Sequence, residues 1–358
     1  MNKYIKQISD RIFKNVLIAE FNDKTILITG ANGLIGGFIA DFLHYLNVEH
    51  DYNIKIILTS LSKTPKRLEH LLDNDNVLYL PIDLADEKTE INFFEKGLPL
   101  YKNIKIDYCL YCAGYAQPGK FLSNPFKTFS LNVNGLSRIF NKVFSDNKKA
   151  KAVYISSSEV YALNDNTESH REDDFLNLSL THKRIPYILG KVSGEYQVNI
   201  FRDLGFDAKS ARVSLCYGPG HVMDDSRVMS DLTRKGIEND TIDLFDDGSS
   251  FRKYQHISDC CVMLFNILLR GKNDVYNLGG KEEVTIYDMA AIIADKFDKK
   301  VVKGIVDNEV ANSAPKRVSI SRIRYEEEFG DFKFTTFKDG MENYLNWYID
   351  THRRYSDN

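Results

Sequence analysis

Residues 24–37 read KTILITGANGLIGG, and the fold turns on that stretch. Lys24–Thr29 is an apolar, β-branched run of strand length, and a helical run continues from Gly36 to Leu46. Between them stand Gly30, Gly33 and Gly36. Glycines at a strand-to-helix turn let backbone N–H groups approach a pyrophosphate, and the helix N-terminus favours its charge. Any tight turn of this kind could use glycine. This triplet gains its meaning from sitting at the first βα junction of the chain, where it predicts a dinucleotide site.

Working outward, NIKIILTS (53–60), NVLYLPID (76–83), IDYCLYCAG (106–114), AKAVYISSS (150–158) and DAKSARVSLCYG (207–218) continue the strand series. Helical stretches separate them, among them PFKTFSLNVNGLSRIFNKVF (125–144) and YILGKVSGEYQVNIFRDLG (187–205). Buried continuous strands alternating with helices predict an α/β fold, a Rossmann-type doubly wound parallel sheet with a smaller C-terminal substrate-binding lobe. DVYNLGG (274–280) reads as a late strand and TIYDMAAIIADKF (285–297) as an amphipathic helix. The expected division is an N-terminal helical extension over 1–23, a cofactor domain over 24–212 completed by parts of 252–280, and mainly a substrate lobe over 213–358. In the extension, Ile5, Ile8, Ile12, Phe13, Val16 and Leu17 recur at helical spacing, which predicts an amphipathic helix laid against the body.

Composition narrows the class. The 358 residues are 43% hydrophobic and 27% charged, ordinary for a globular chain with a sizeable core. Forty-seven basic and fifty acidic residues leave a net charge of −3, without the basic excess that nucleic-acid coating requires. No window approaches the apolar length of a spanning helix, and the first residues lack the pattern of a secretory signal, so a soluble cytoplasmic enzyme is expected. Five cysteines are few and odd in number, which argues against a disulfide framework. Cys109 and Cys112 spell C-x-x-C within a strand rather than at the helix N-terminus that a redox pair needs, so core packing is their reading. No His/Cys spacing suits zinc, and no metal is expected.

The G-x-x-G-x-x-G spacing resembles the extended, nucleotide-sugar-modifying branch of the short-chain dehydrogenase/reductase superfamily. The resemblance implies a cofactor site built from Gly30, Asn32, Gly33, Leu34, Ile35 and Gly36. It adds Asp83 and Leu84 in PIDL at the adenine, Ala113 and Gly114 at the end of the fourth strand, and Asn132 in LNVNG as a helix-bending residue. At the end of the second strand the branch usually carries an acidic residue for the ribose hydroxyl. Here Thr59 and Ser60 stand there, with Lys63 and Arg67 nearby. NAD is the expected cofactor, and NADP is the alternative those cations leave open.

Tyr187 and Lys191 lie four residues apart and share one helical face. An ammonium there can lower a phenol's pKa and make Tyr187 a base near neutrality. Such pairs also occur on surface helices, but this one follows the fifth strand, whose YISSSEVYA carries Ser157, which resembles the superfamily's serine or threonine that bonds the reacting sugar hydroxyl. In this branch the sugar is oxidised at C4, altered beside the new ketone, and usually reduced again. The pair after Ser157 is Ser158-Glu159. A 4,6-dehydratase typically has Asp-Glu, and a serine hydroxyl is too weak an acid to replace the aspartic acid.

Ser158-Glu159 resembles the UDP-glucuronate decarboxylases, as does Arg184 three residues before Tyr187. DDSRVMSDL and DDGSSFRKYQHISD resemble two further motifs of that family and bring Arg227 and Arg252 in as substrate-side residues. Departures are Leu215 where an asparagine usually bonds the substrate phosphates, a loop before Tyr187 without the usual prolines, and Arg317 as the one C-terminal phosphate candidate. A 4,6-dehydratase or 4-epimerase is the alternative, and a non-catalytic dinucleotide sensor the remote one. The helix carrying Tyr187 commonly pairs across a two-fold axis in this superfamily, which implies a homodimer.

Overall fold

The computed structural model describes residues 2–86, 88, 105–162, 169–221, 225, 227–304 and 317–356. Its centre is a seven-stranded parallel sheet of β1 (Thr25–Thr29), β2 (Lys55–Ser60), β3 (Val77–Pro81), β4 (Tyr108–Tyr111), β5 (Lys151–Ser157), β6 (Asp207–Val213) and the late strand Val275–Leu278. From one edge the order is β3, β2, β1, β4, β5, β6 and Val275–Leu278. The order therefore reverses between β1 and β4, opening a crevice at their carboxyl ends where such sheets bind ligands.

The apolar runs of the strands are continuous because helices cover both faces. Ile26 and Ile28 of β1 face a core with Phe38, Phe42 and Leu264, whereas Leu27 faces a second with Phe140, Val143 and Val198. Each fully buried Phe or Leu contributes about 1.5–3 kcal/mol of transfer free energy. A third core joins Met229 and Leu232 to Met289, Ile293, Tyr344 and Trp347 in the C-terminal part.

Helix α2 runs Leu34–Glu49, two residues earlier than expected at its start, because Gly33 takes the extended N-cap conformation and releases Leu34 into the first turn. The stretch 125–144 is not one uniform helix. It divides into Pro125–Ser130, a π-helical segment Leu131–Gly135 and α3 (Leu136–Asp146). Buried Asn132 accounts for the widening: its amide nitrogen donates to the Thr128 carbonyl at 2.7 Å, and its Oδ1 accepts from the Tyr154 hydroxyl at 2.8 Å.

The N-terminal extension forms α1 (Lys3–Asn15), with Ile5, Ile8, Ile12 and Val16 buried and Phe13 stacked on His50. Leu17 departs from the expected stripe. It falls after the helix end and is 74% exposed. Arg11 binds Asp259 at 2.6 Å, together with Ser258, Thr335 and the Lys333 carbonyl. It thus ties α1 to α5 (Ile257–Arg270) and to the segment entering the last helix. Because the Asp259 carboxylate is buried, Arg11→Ala should strand it and cost about 3 kcal/mol, read as a lowered urea midpoint with unchanged slope.

Candidate active site

Gly30 leaves β1 with φ of +64°, and a Cβ there would lie 2.7 Å from backbone atoms of Ala113. Only glycine allows the ends of β1 and β4 to meet this closely. A Cβ on Gly36 would reach the Gly30 carbonyl at 2.8 Å, so the turn stays tight against α2. The first N–H groups of α2, at Leu34 and Ile35, thus open onto the crevice. Asn32 Oδ1 and Thr59 Oγ1 are buried without a protein partner, as groups awaiting a ligand would be. This glycine cradle with two orphaned acceptors fits a dinucleotide.

At the adenine side, Asp83 accepts from the Ala85 N–H and pairs with Lys127 at 3.0 Å. The backbone of buried Leu84 packs against Gly135. Ser60 shares a hydrogen bond with Tyr79, so Thr59 is the ribose-side hydroxyl left unpartnered. Arg67 does not behave as expected: it is bound to buried Asp41, which also holds His70 at 2.6 Å. The guanidinium thus neutralises a buried carboxylate, while its Nε is buried without a protein partner. Lys63 remains exposed.

Ser157 ends β5, and α4 (Ile185–Asp203) brings Tyr187 and Lys191 back over it, with Pro186 in the first turn. The helix lies against the sheet so closely that a Cβ on Gly194 would stand 2.6 Å from the Tyr154 ring. The Ser157 hydroxyl accepts from the Glu159 N–H at 3.2 Å and acts to lower the pKa of the Tyr187 phenol. Lys191 donates to the Ile155 carbonyl at 2.8 Å, and its nitrogen lies 5.7 Å from the Tyr187 ring centroid. Gly114 adjoins the same ammonium.

The electrostatics differ from the sequence expectation. Burial pushes Tyr187 up to about 12, against the opposing pull of Ser157, Arg227 and Arg184. Burial also takes Lys191 down to about 7. Desolvation is the largest influence on both groups, and the opposing pull on the phenol comes from Ser157, Arg227 and Arg184.

Glu159 forms an ion pair with Arg184 at 2.7 Å, and burial raises its pKa although Arg184, Arg252 and His182 oppose the rise. Glu159 Oε2 and Arg184 Nε are buried without protein partners, beside Tyr187. Ser158 is buried at the start of a short 3₁₀ turn. Arg252 donates to the Phe251 carbonyl and lies within charge range of Glu159. Arg227 is gripped by buried Asp225 at 2.6 Å, with His221 on the same carboxylate. The backbone of Arg317 pairs with Phe251, and its side chain lies outside the described residues.

Three neighbours of these residues escaped the sequence reading: Asp225, which holds Arg227; Phe121, stacked on Tyr187; and the buried Glu195–Arg212 pair, whose Glu195 also holds Ser156 next to Ser157. Glu195 was legible in principle, one helical turn beyond Lys191 on the same face.

Lys191 offers a measurable sign. Below pH 7 it is charged in both folded and unfolded chains, so the cost of burying the ammonium is complete, and above its ordinary 10.5 that cost vanishes. Lys191→Met should therefore melt above the wild type at pH 6, with the difference narrowing toward pH 10.

The family model described as the NAD dependent epimerase/dehydratase family matches residues 26–279, and the chain belongs to that family. A dTDP-4-dehydro-6-deoxy-D-allose reductase from Streptomyces bikiniensis is 25% identical, with 91% of this chain and 96% of the relative aligned. UDP-glucuronic acid decarboxylase 1 of Danio rerio is 24% identical over 77% of this chain and 61% of its own length. Among solved structures, a dTDP-glucose 4,6-dehydratase from Streptomyces venezuelae with NAD bound superposes with a TM-score of 0.74 at 20% identity, covering 92% of this chain and 98% of the other. The expected fold and the NAD-dependent class are thereby established. No helix among the described residues is long and apolar enough to cross a membrane.

Proposed function

We propose that this member of the NAD dependent epimerase/dehydratase family oxidises a nucleotide sugar at C4 and acts on an acid sugar, in the manner of a UDP-glucuronate decarboxylase. Residues 24–212, with parts of 252–280, serve as the cofactor unit in this reading, and 213–358 mainly as the substrate lobe, in the cytoplasm. The observation that carries the acid-sugar reading is the group around Glu159. The partly buried Glu159 carboxylate there pairs with Arg184 at 2.7 Å and lies within charge range of Arg252, so two guanidiniums gather near Tyr187.

Gly30, Gly33, Gly36, Asn32, Thr59 and the start of α2 would hold NAD, which when bound supplies a hydride acceptor. Ser157 and Tyr187 share the hydroxyl network into which the sugar's C4 hydroxyl would enter, and Tyr187 takes its proton. Lys191 holds the phenol's surroundings polar from the α4 face. A ketone at C4 makes the neighbouring carboxylate a β-keto acid, whose carbon dioxide departs because the ketone accepts the electron pair. Arg184 and Arg252 position that carboxylate, and Glu159, whose pKa burial raises, assists protonation at C5. Ser158 supplies no acid of carboxylic strength, which disfavours loss of water.

Purified protein with NAD, offered UDP-glucuronate and neutral nucleotide sugars, should release carbon dioxide from the uronate alone by mass spectrometry. Tyr187→Phe should lower that rate at least about a hundredfold while retaining NAD binding by calorimetry. Dehydration of a neutral sugar, or NADH-dependent reduction of a 4-keto sugar without carbon loss, would overturn the decarboxylase reading and favour a dehydratase or the activity of the reductase relative.

We also infer a homodimer. Tyr196, Ile200 and Leu204 of α4 are exposed, as are Phe126 and Phe129 of the adjoining helix Pro125–Ser130, with Phe126 91% exposed. Contiguous apolar surface of this kind marks association sites. Phe126→Asp combined with Tyr196→Asp should convert a sedimenting dimer to monomer; a wild type that sediments as monomer at all concentrations would refute the inference.

A further inference from the structure

Phe121 lies on the short helix Pro118–Ser123, outside every motif that marks the site in the sequence. It is 1% exposed, and its ring lies face to face with that of Tyr187, centroids 4.8 Å apart and planes 14° from parallel. The Arg184 guanidinium stands 5.6 Å from the Phe121 ring centroid, and the same guanidinium binds Glu159 at 2.7 Å. Tyr187, Phe121, Arg184 and Glu159 therefore form one continuous column. Its two ends are the base and the acid of the reaction proposed above.

We propose that Phe121 is a positioning residue that couples the two ends of this column, covering one face of the Tyr187 phenol against water and providing the aromatic platform that aims Arg184 at Glu159. The proposal takes Tyr187 and Glu159 in the roles already assigned to them. Its physical content is simple. An aromatic ring over a phenol removes water from that face and disfavours the phenolate, while the ring's other contact attracts a guanidinium by its quadrupole.

The remaining charged and titratable groups around the column are Lys191 on α4, Tyr154 of β5 and Arg227 of the loop after β6, with His182 and Arg252 beside Glu159. The Arg184 and Arg227 guanidiniums pull Tyr187 toward ionisation, and Glu159 pushes the other way. None of the three comes from the Pro118–Ser123 helix. Removing the Phe121 ring therefore changes hydration of the phenol without deleting a charge.

The test uses the full chain labelled with ¹³Cζ-tyrosine. The resonance missing from Tyr187→Phe identifies Tyr187, and its titration is followed in three variants. In Phe121→Ala the titration should move about one pH unit down, toward the ordinary tyrosine value near 10. Phe121→Leu keeps an apolar cover and should leave the Tyr187 titration in place, but it removes the platform under Arg184. Its KM for UDP-glucuronate should rise about fivefold with little change in kcat, an effect of the size expected for a partly exposed cation–π contact. Phe121→Tyr restores the ring and should restore KM.

A Tyr187 titration unmoved in Phe121→Ala overturns the covering role, and a KM unmoved in Phe121→Leu overturns the platform role. Should Phe121→Ala not fold, Phe121→Leu and Phe121→Tyr still decide the platform role. Wild-type protein that turns over no uronate defeats the decarboxylase reading, yet the tyrosine titration continues to judge Phe121 independently.

Discussion

The contact on which the structure depends is the meeting of Gly30 with the backbone of Ala113, where the sheet order reverses. β1 and β4 can end side by side only if one of them turns without a Cβ. Once they do, the helix after β1 points its N-terminus over the crevice, and the end of β4 carries Gly114 under the Lys191 ammonium. The glycine turn and the helix carrying Tyr187 and Lys191 are thus referenced to one point. A second close approach, Gly194 against the Tyr154 ring, sets the height of α4 above the sheet. The two together decide how far Tyr187 stands from the crevice floor.

Tyr187 and Lys191 are buried, and burial governs the electrostatics of the site. Burial moves the Tyr187 phenol up and the Lys191 amine down. Glu159 follows the same rule, its carboxyl raised although a guanidinium touches it. The raised phenol, the lowered amine and the raised carboxyl share one cause. Each is poised for a charged ligand to change its state. The site in the protein alone is accordingly a set of groups whose protonation depends on what enters, which suits chemistry that moves protons within a closed pocket.

Several elements were legible because they obey local rules. The glycine triplet announces a backbone geometry, the strand series announces burial on both faces, and Tyr187 and Lys191 share a helical face by spacing alone. Asn132 was legible as a helix-bending residue, and its paired bonds to Thr128 and Tyr154 supply the cause. Other features were not. Arg67 sits near the second strand in sequence, where it suggested a phosphate partner, but Asp41 of α2 claims it. Leu17 continues an apolar periodicity past the point where its helix stops. In both cases the pattern was real and the partner, or its absence, lay on another element.

What the sequence by itself determined was the class: a doubly wound sheet, a dinucleotide turn, and a tyrosine and lysine over a strand-end serine. These follow from spacing along one segment at a time, and spacing is a local property. Which charges are paired, which groups are dry and which aromatic ring covers the phenol were decided by tertiary structure alone. Phe121 meets Tyr187, Asp225 grips Arg227 and Arg11 reaches Asp259 only after distant segments are packed together. Desolvation depends on everything that surrounds a group, and no single stretch of sequence contains that.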